Sequence, residues 1–490
     1  MATDLHFLGI AELSRLLHTK QISPVELTRT YLERADRMDR VPFALPADHS
    51  VDTGGQLASI ITLVREGALA AAHAAEREIV AGRVLSPLHG IPYGVKDLLD
   101  SAGVRTTWGS RIFMDRVPTR DSNVVARLAR AGAVLMAKMS MAEFAGGNTS
   151  TARNPWKLDR SSMGSSSGTV VATVAGLIAF GIGSETGGSI VLPAATVGAT
   201  GLRPTFGRVG RSGCMALSWS LDKLGPVARS AEDCGLVLDA IAGFDADDAS
   251  SLDRPFRFRP EPVSLRGRKV AIHRPEFEAI DNPENRRLFD GALDVLRQQG
   301  VLFEDVQLPG DRPYGDIFSN ITNVESAAAF RGLFEDGRID GMFPYNWSRR
   351  AGWQAASMAP AADYITAQRI RQLIIRETDA LMARYDAIVA PTYVTGAPLR
   401  DAPVQPPIPP PPSGPPSGGS GRGMPRINSI GNLVGLPGLN LPIGFDADGL
   451  PLCMQIVGPA WQDQGVLDLA MAFQRDTDWH LRRPAYPFRP

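Results

Sequence analysis

The stretch LIAFGIGSETGGSIVLP, residues 177–193, decides how this chain reads. Its first half, Leu177–Glu185, is an apolar run of strand length that ends on a carboxylate. Its second half sets a Gly-Gly pair directly before Ser189 and then returns to apolar residues. Two readings fit. The segment SETGGSIVLP is either a tight turn between two buried segments or a nucleophile presented beside backbone N–H groups that can hold an oxyanion. Its surroundings bear on the choice. Thr169–Ala175 reads as a helix, AVLMAKMS (Ala133–Ser140) as a buried strand, and Asn123–Gly132 as a short amphipathic helix. PLHGIPYGVKDLLD (Pro87–Asp100) reads as turn and strand, and Glu66–Arg83 as an Ala-rich helix stopped by Gly82. Alternation of this kind predicts an α/β sheet with helical covers.

Further out, Leu8–Met38 reads as helical, with Ser23-Pro24 and Glu26 marking a helix start, and Val41–Leu57 as a loop. From Val270 to Asp386 the chain is more helical, with strands at Lys269–Pro275 and Tyr385–Thr392. Ala402–Ser417 holds nine prolines and leads into a Gly/Ser patch, which reads as a solvated loop rather than a polyproline ligand. Gly438–Gly458 reads as a β-hairpin turning at Asp446–Gly449. One large domain over residues 1–490 is the simpler organisation. Its expected parts are an N-terminal helical arm (1–65), a core (66–235), a more helical region (236–400), the Pro/Gly-rich loop (401–424) and a return to the core (425–490).

Composition narrows the function. Of 490 residues, 51 are Lys or Arg and 52 are Asp or Glu, a net charge of −1 that gives no electrostatic case for nucleic acid or an anionic membrane. Three dispersed cysteines (Cys214, Cys234, Cys453) rule out a disulfide scaffold or zinc ribbon and fit a reducing compartment. The longest apolar run, Thr169–Gly183, is about 15 residues, short of the ~20 that span a bilayer. With no basic-then-apolar start, the expected location is cytoplasmic.

The seven histidines are scattered, so neither a metal cluster nor a Ser-His-Asp triad is indicated. No Lys-Ser/Thr follows the glycines at 181–188, which argues against a phosphate loop. Gly164–Gly168 satisfies G-x-S-x-G, but polar LDRSSM precedes it where a strand should lead in. Ser220–Lys223 satisfies S-x-x-K, but Gly225-Pro226 would end any helix at once, so chance is the better account. What survives is a serine-rich region, Arg160–Ser189, flanked by core-like segments, and Lys96 at the end of the apolar IPYGV. A lysine there is drawn into low dielectric, which lowers its pKa and frees a neutral amine as base.

The segments PLHGIPYGVKDLLDSAGVRTTWGS, RNPWKLDRSSMGSSSG, GSETGGSIVLPAATVGATGLRPTFGRVGRSG, SLDKLGPVARSAEDC and NLVGLPGLNLPIGFDADGLPLCMQIVG, in this order, resemble the amidase signature family. These are serine amidohydrolases with a Ser–cisSer–Lys triad. The resemblance covers most of the chain and implies an amidase-signature α/β fold, a large mixed β-sheet covered on both faces by helices. It implies Ser189 as the acylated nucleophile, Ser165 as the bridging serine after a cis peptide bond, and Lys96 as the base. Backbone N–H groups of Thr186, Gly187, Gly188 and Ser189 would form the oxyanion hole. It requires no metal and no organic cofactor. Met163 and Ser167 stand where the family has glycines, Glu185 where many members have Asp, and Val191 where many have arginine.

The expected activity is hydrolysis of a small, apolar or aryl amide, with Phe144, Gly146 and Ser166 as candidate substrate contacts. Aromatic residues between 323 and 353, among them Phe330 and Trp353, line either that pocket or the core. The alternatives are the glutaminase component of a tRNA-dependent amidotransferase, which releases ammonia from glutamine within a complex, or an esterase or carbamate hydrolase with the same triad. Val191, and Gly423–Arg426 where such glutaminase components carry an acid, favour the stand-alone amidase. The expected partners are a small-molecule amide and a second copy of the chain, with no nucleic acid and no membrane.

Overall fold

The computed structural model describes residues 4–39, 56–147, 151–309, 312–400 and 426–485. Its centre is an eleven-stranded sheet. In chain order the strands are β1 (Ile60–Leu63), β2 (Pro92–Lys96), β3 (Val134–Met139), β4 (Phe180–Glu185), β5 (Thr200–Arg203), β6 (Lys223–Ala228), β7 (Lys269–Ile272), β8 (Leu302–Asp305), β9 (Ala387–Pro391), β10 (Gly438–Phe445) and β11 (Pro451–Val457). Across the sheet they run β1-β3-β2-β4-β6-β5-β10-β11-β9-β7-β8. Pairings of β2 with β3 and β4, and of β7 with β8 and β9, are parallel. The others are antiparallel, so the sheet is mixed.

Every residue of β2, β4, β5, β6, β9 and β11 is buried. A strand buried at both alternating positions needs cover on both faces, and this is why β2, β4 and β9 read as apolar runs rather than as alternation. The covers are helices. Pro24–Met38 begins where the sequence says it should: the Ser23 hydroxyl accepts from Glu26 N (3.0 Å) and Pro24 takes the first turn. Such a cap contributes about 1 kcal/mol. The helical reading of Leu8–Met38 resolves into two helices, Ile10–His18 and Pro24–Met38, broken where Lys20 takes a positive φ of 60°.

The strands expected at 133–140, 177–185, 269–275 and 385–392 are β3, β4, β7 and β9, and the C-terminal hairpin is β10–β11. Four strands were not expected: β1, β5, β6 and β8. Strands β1, β5 and β8 have four residues each, and β6 carries the Gly225-Pro226 pair that reads as a breaker; Pro226 lies opposite Ile182 of β4. The loop at 41–57, for all but its last two residues, and the proline-rich segment 402–417 lie outside the described residues.

Among the described residues no helix is long and apolar enough to cross a membrane.

Candidate active site

Strand β2 ends on Lys96, whose side chain is wholly buried. Its Nζ lies 2.6 Å from Ser165 Oγ, 2.9 Å from Ser184 Oγ and 3.4 Å from the Ser184 carbonyl. Burial pushes the amine down to about 7 from its ordinary 10.5, against the pull of Asp222 and then Glu185. A neutral amine hydrogen-bonded to a hydroxyl can accept its proton.

Ser165 follows a cis peptide bond from Gly164, as the resemblance implies. Met163, where the family has glycine, sits at φ 49°. Glycine reaches that region freely, whereas an L side chain there costs about 1–2 kcal/mol. Ser166 donates its backbone N–H to the Ser189 carbonyl (3.2 Å), which sets the two serine turns against each other.

Ser189 lies in the turn after β4 and is partly exposed. Its hydroxyl makes no hydrogen bond among the described residues. The turn itself is tightly held. Glu185 Oε2 accepts from Ile190 N (2.7 Å) and Val191 N (2.9 Å), and Oε1 from Arg203 Nη1 and Asn432 Nδ2, each at 2.8 Å. Burial opposes the charge on Glu185, but Arg203 and Lys223 outweigh it and hold the carboxyl below its usual range. Arg203 and Glu185 are both fully buried, so Glu185→Ala strands a guanidinium in the core. The expected loss is about 3–5 kcal/mol, read as a fall in the urea midpoint with unchanged slope.

Thr186 Oγ1 donates to Asp222 Oδ1 (2.6 Å). Gly188 takes φ 135°, which L side chains rarely adopt. The Phe318 ring closes over Gly187, where a Cβ would come within 2.4 Å of Cζ. No turn or side-chain hydrogen bond among the described residues takes up the N–H groups of Gly187, Gly188 and Ser189. Beyond Ser184 and Thr186 opens a cavity of about 220 Å³, lined also by Asp222, Leu217, Trp219 and Arg211.

The expected substrate contacts divide. Ser166 is buried and its hydroxyl is spent on Ser184, donating to the carbonyl (3.1 Å) and accepting from the N–H (3.3 Å). Phe144 is buried in an aromatic stack with Phe113, Phe330 and Trp353. These rings contact one another and form core. Gly146 belongs to the segment that packs on the Ser165 turn through Ala142 N to Ser165 O (3.2 Å), and Ala145 lines the cavity.

Sequence reasoning missed Arg349. Its guanidinium lies against Gly146 so closely that a Cβ there would stand 1.0 Å from Nη1. Arg349 Nε has no hydrogen-bond partner among the described residues, and burial pushes the group down to about 10. The nearby Glu143 carboxylate is already committed to Ser110 Oγ (2.7 Å), Asn346 Nδ2 (2.6 Å) and Phe343 N (3.2 Å). Arg349 comes from helix Trp347–Ala356, some 200 residues from Gly146 in sequence, and no local motif announces it. Val191 is fully buried. Of 423–426, only Arg426 lies among the described residues; it donates to the Pro309 carbonyl (2.6 Å).

A family model described as Amidase matches residues 52–467. A glutamyl-tRNA(Gln) amidotransferase component from Roseiflexus sp. (strain RS-1) is 35% identical over 99% of both chains. Its counterpart from Azoarcus sp. (strain BH72) is 36% identical over 97% of this chain and 99% of its own. Among solved structures, the native peptide amidase of Stenotrophomonas maltophilia superposes with a TM-score of 0.83 at 30% identity, covering 98% of each chain.

Proposed function

The chain belongs to the amidase family and is an amide C–N hydrolase, and on that premise we propose that it works through an acyl-enzyme on Ser189. The observation that carries this reading is the buried Lys96, its amine near neutrality and 2.6 Å from Ser165 Oγ, beside the Ser189 turn. Neutral Lys96 takes a proton from Ser165, and Ser165 takes one from Ser189 as its oxygen attacks the carbonyl carbon. The N–H groups of Thr186, Gly187, Gly188 and Ser189 receive the charge that develops on the carbonyl oxygen. The relay returns a proton to the leaving amine, and water then releases the acid.

For the substrate, the relatives' names support the amidotransferase reading over the small apolar or aryl amide that the sequence favoured. The geometry adds support from the acyl side. The aromatic residues expected to line an aryl pocket pack on one another, whereas the Arg349 guanidinium lies beside Gly146 with its Nε lacking a hydrogen-bond partner among the described residues. A carboxylate-bearing primary amide such as glutamine satisfies that cation, and position 191 need not supply one. On this reading the chain acts within an assembly that consumes the released ammonia.

The test is a comparison of glutamine with an uncharged primary amide such as butyramide. Charge-assisted hydrogen bonds contribute about 1.5–3 kcal/mol, so Arg349→Met should lower kcat/KM for glutamine about 10- to 100-fold. Butyramide hydrolysis should change less than about twofold. Equal losses on both amides, or no hydrolysis of glutamine by the native protein, contradict the glutamine reading.

A further inference from the structure

Lys223 is the second lysine buried at this site, and the mechanism above leaves it idle. It opens β6 opposite Glu185 of β4, and the residue is 3% exposed. Carboxylates lie near, yet both of its hydrogen bonds go to carbonyls: Thr186 O and Asn432 O, each at 3.3 Å. The first carbonyl belongs to the peptide unit whose N–H is that of Gly187. Asn432 in turn donates to Glu185, which holds the N–H groups just after Ser189.

A peptide is one conjugated plane, so a donor on its oxygen draws electrons from its nitrogen and makes its N–H a better donor. We infer that Lys223 is a positioning residue of the oxyanion loop, fixing and polarising the Thr186–Gly187 peptide so that Gly187 N–H meets the developing charge of the transition state. Thr186 Oγ1 on Asp222 (2.6 Å) holds the same peptide from its other side. The Asn428 amide repeats the arrangement on the next peptide at the limit of hydrogen bonding, 3.5 Å from Gly187 O. The S-x-x-K pattern ending on Lys223 is thus not a nucleophile motif, but its lysine has a place behind the loop.

The inference rests on the proposed role of Ser189, and the test separates the two. Lys223→Met removes the donor, while Lys223→Gln keeps an N–H near the Thr186 carbonyl on a shorter side chain. Active-site titration with a fluorophosphonate counts folded sites in each preparation. Losing an oxyanion donor outright costs about 10²–10³-fold, so losing its polarisation should lower kcat per titrated site about 10- to 30-fold in the Met variant. KM should stay within about twofold, and the Ki of a trifluoromethyl ketone, which binds as an oxyanion adduct, should rise by the same factor as kcat falls. The Gln variant should lie between the Met variant and the native enzyme.

A Met variant with native kcat and native ketone affinity overturns the inference, as does a rise in KM that matches the rise in Ki. If the Met variant does not fold, the Gln variant decides by the same parallel between Ki and kcat. Fluorophosphonate on a residue other than Ser189 in the native protein overturns the underlying mechanism instead, and this inference with it.

Discussion

Ser189→Ala is expected to lower amide hydrolysis by about five orders of magnitude, because loss of a serine nucleophile leaves only the oxyanion hole and binding. The fold should not suffer. The hydroxyl is partly exposed and makes no hydrogen bond among the described residues, so its removal orphans no buried partner. Circular dichroism and the thermal midpoint should match the native protein, and kcat/KM is the quantity that collapses. Activity within about tenfold of native would place the nucleophile elsewhere.

Lys96→Met carries the second largest effect, an expected loss of about three to five orders of magnitude in kcat. Here pH supplies an independent readout. Burial sets Lys96 at about 7, and the neutral amine is the reactive form, so the native rate should rise with pH through about 7 and then level off. Stability has a definite sign as well. The folded pKa lies below the unfolded value of 10.5, so between about 7 and 10.5 the unfolded chain holds the extra proton. Stability from this group therefore rises with pH across that window, and the full cost of burying an ammonium is felt below about 7. Lys96→Met, which buries no charge, should be inactive yet melt higher than the native protein at pH 6. Loss of activity together with a lower melting point at pH 6 would point to unfolding rather than to a missing base.

The sequence made the centre of this site legible because its parts announce themselves locally. Lys96 closes an apolar run, Ser189 follows a glycine pair after another, and Ser165 sits in a serine cluster between core segments. The parts contributed from a distance were not legible. Arg203 holds Glu185, Arg349 lies on Gly146, and Asn432 reaches Glu185 from the helix Arg426–Val434. The contacts to Glu185 follow from sheet order, which places β5 next to β6 of the pair β4–β6 and β10 next to β5, although β10 is encoded more than 200 residues later; Arg349 comes from a helix outside the sheet. Single short strands such as β8 and β5 carry too few residues to establish a period, and a Gly-Pro inside β6 hid that strand. The aromatic residues near 330–353 gave no hint of whether they faced a ligand or one another, since composition is the same in either case. Packing decided it: Phe330 and Trp353 stack at 4.7 Å.

The central claim is that the acyl group passes through Ser189. It is tested most directly by mixing the native protein with a p-nitrophenyl ester, quenching in acid during turnover, and locating the acyl mass by peptide mass spectrometry. The account predicts the acyl group on Ser189, absent from Ser189→Ala. An acyl group on any other residue, or ester turnover with no burst of p-nitrophenol and no acylated peptide in the quenched sample, would contradict it.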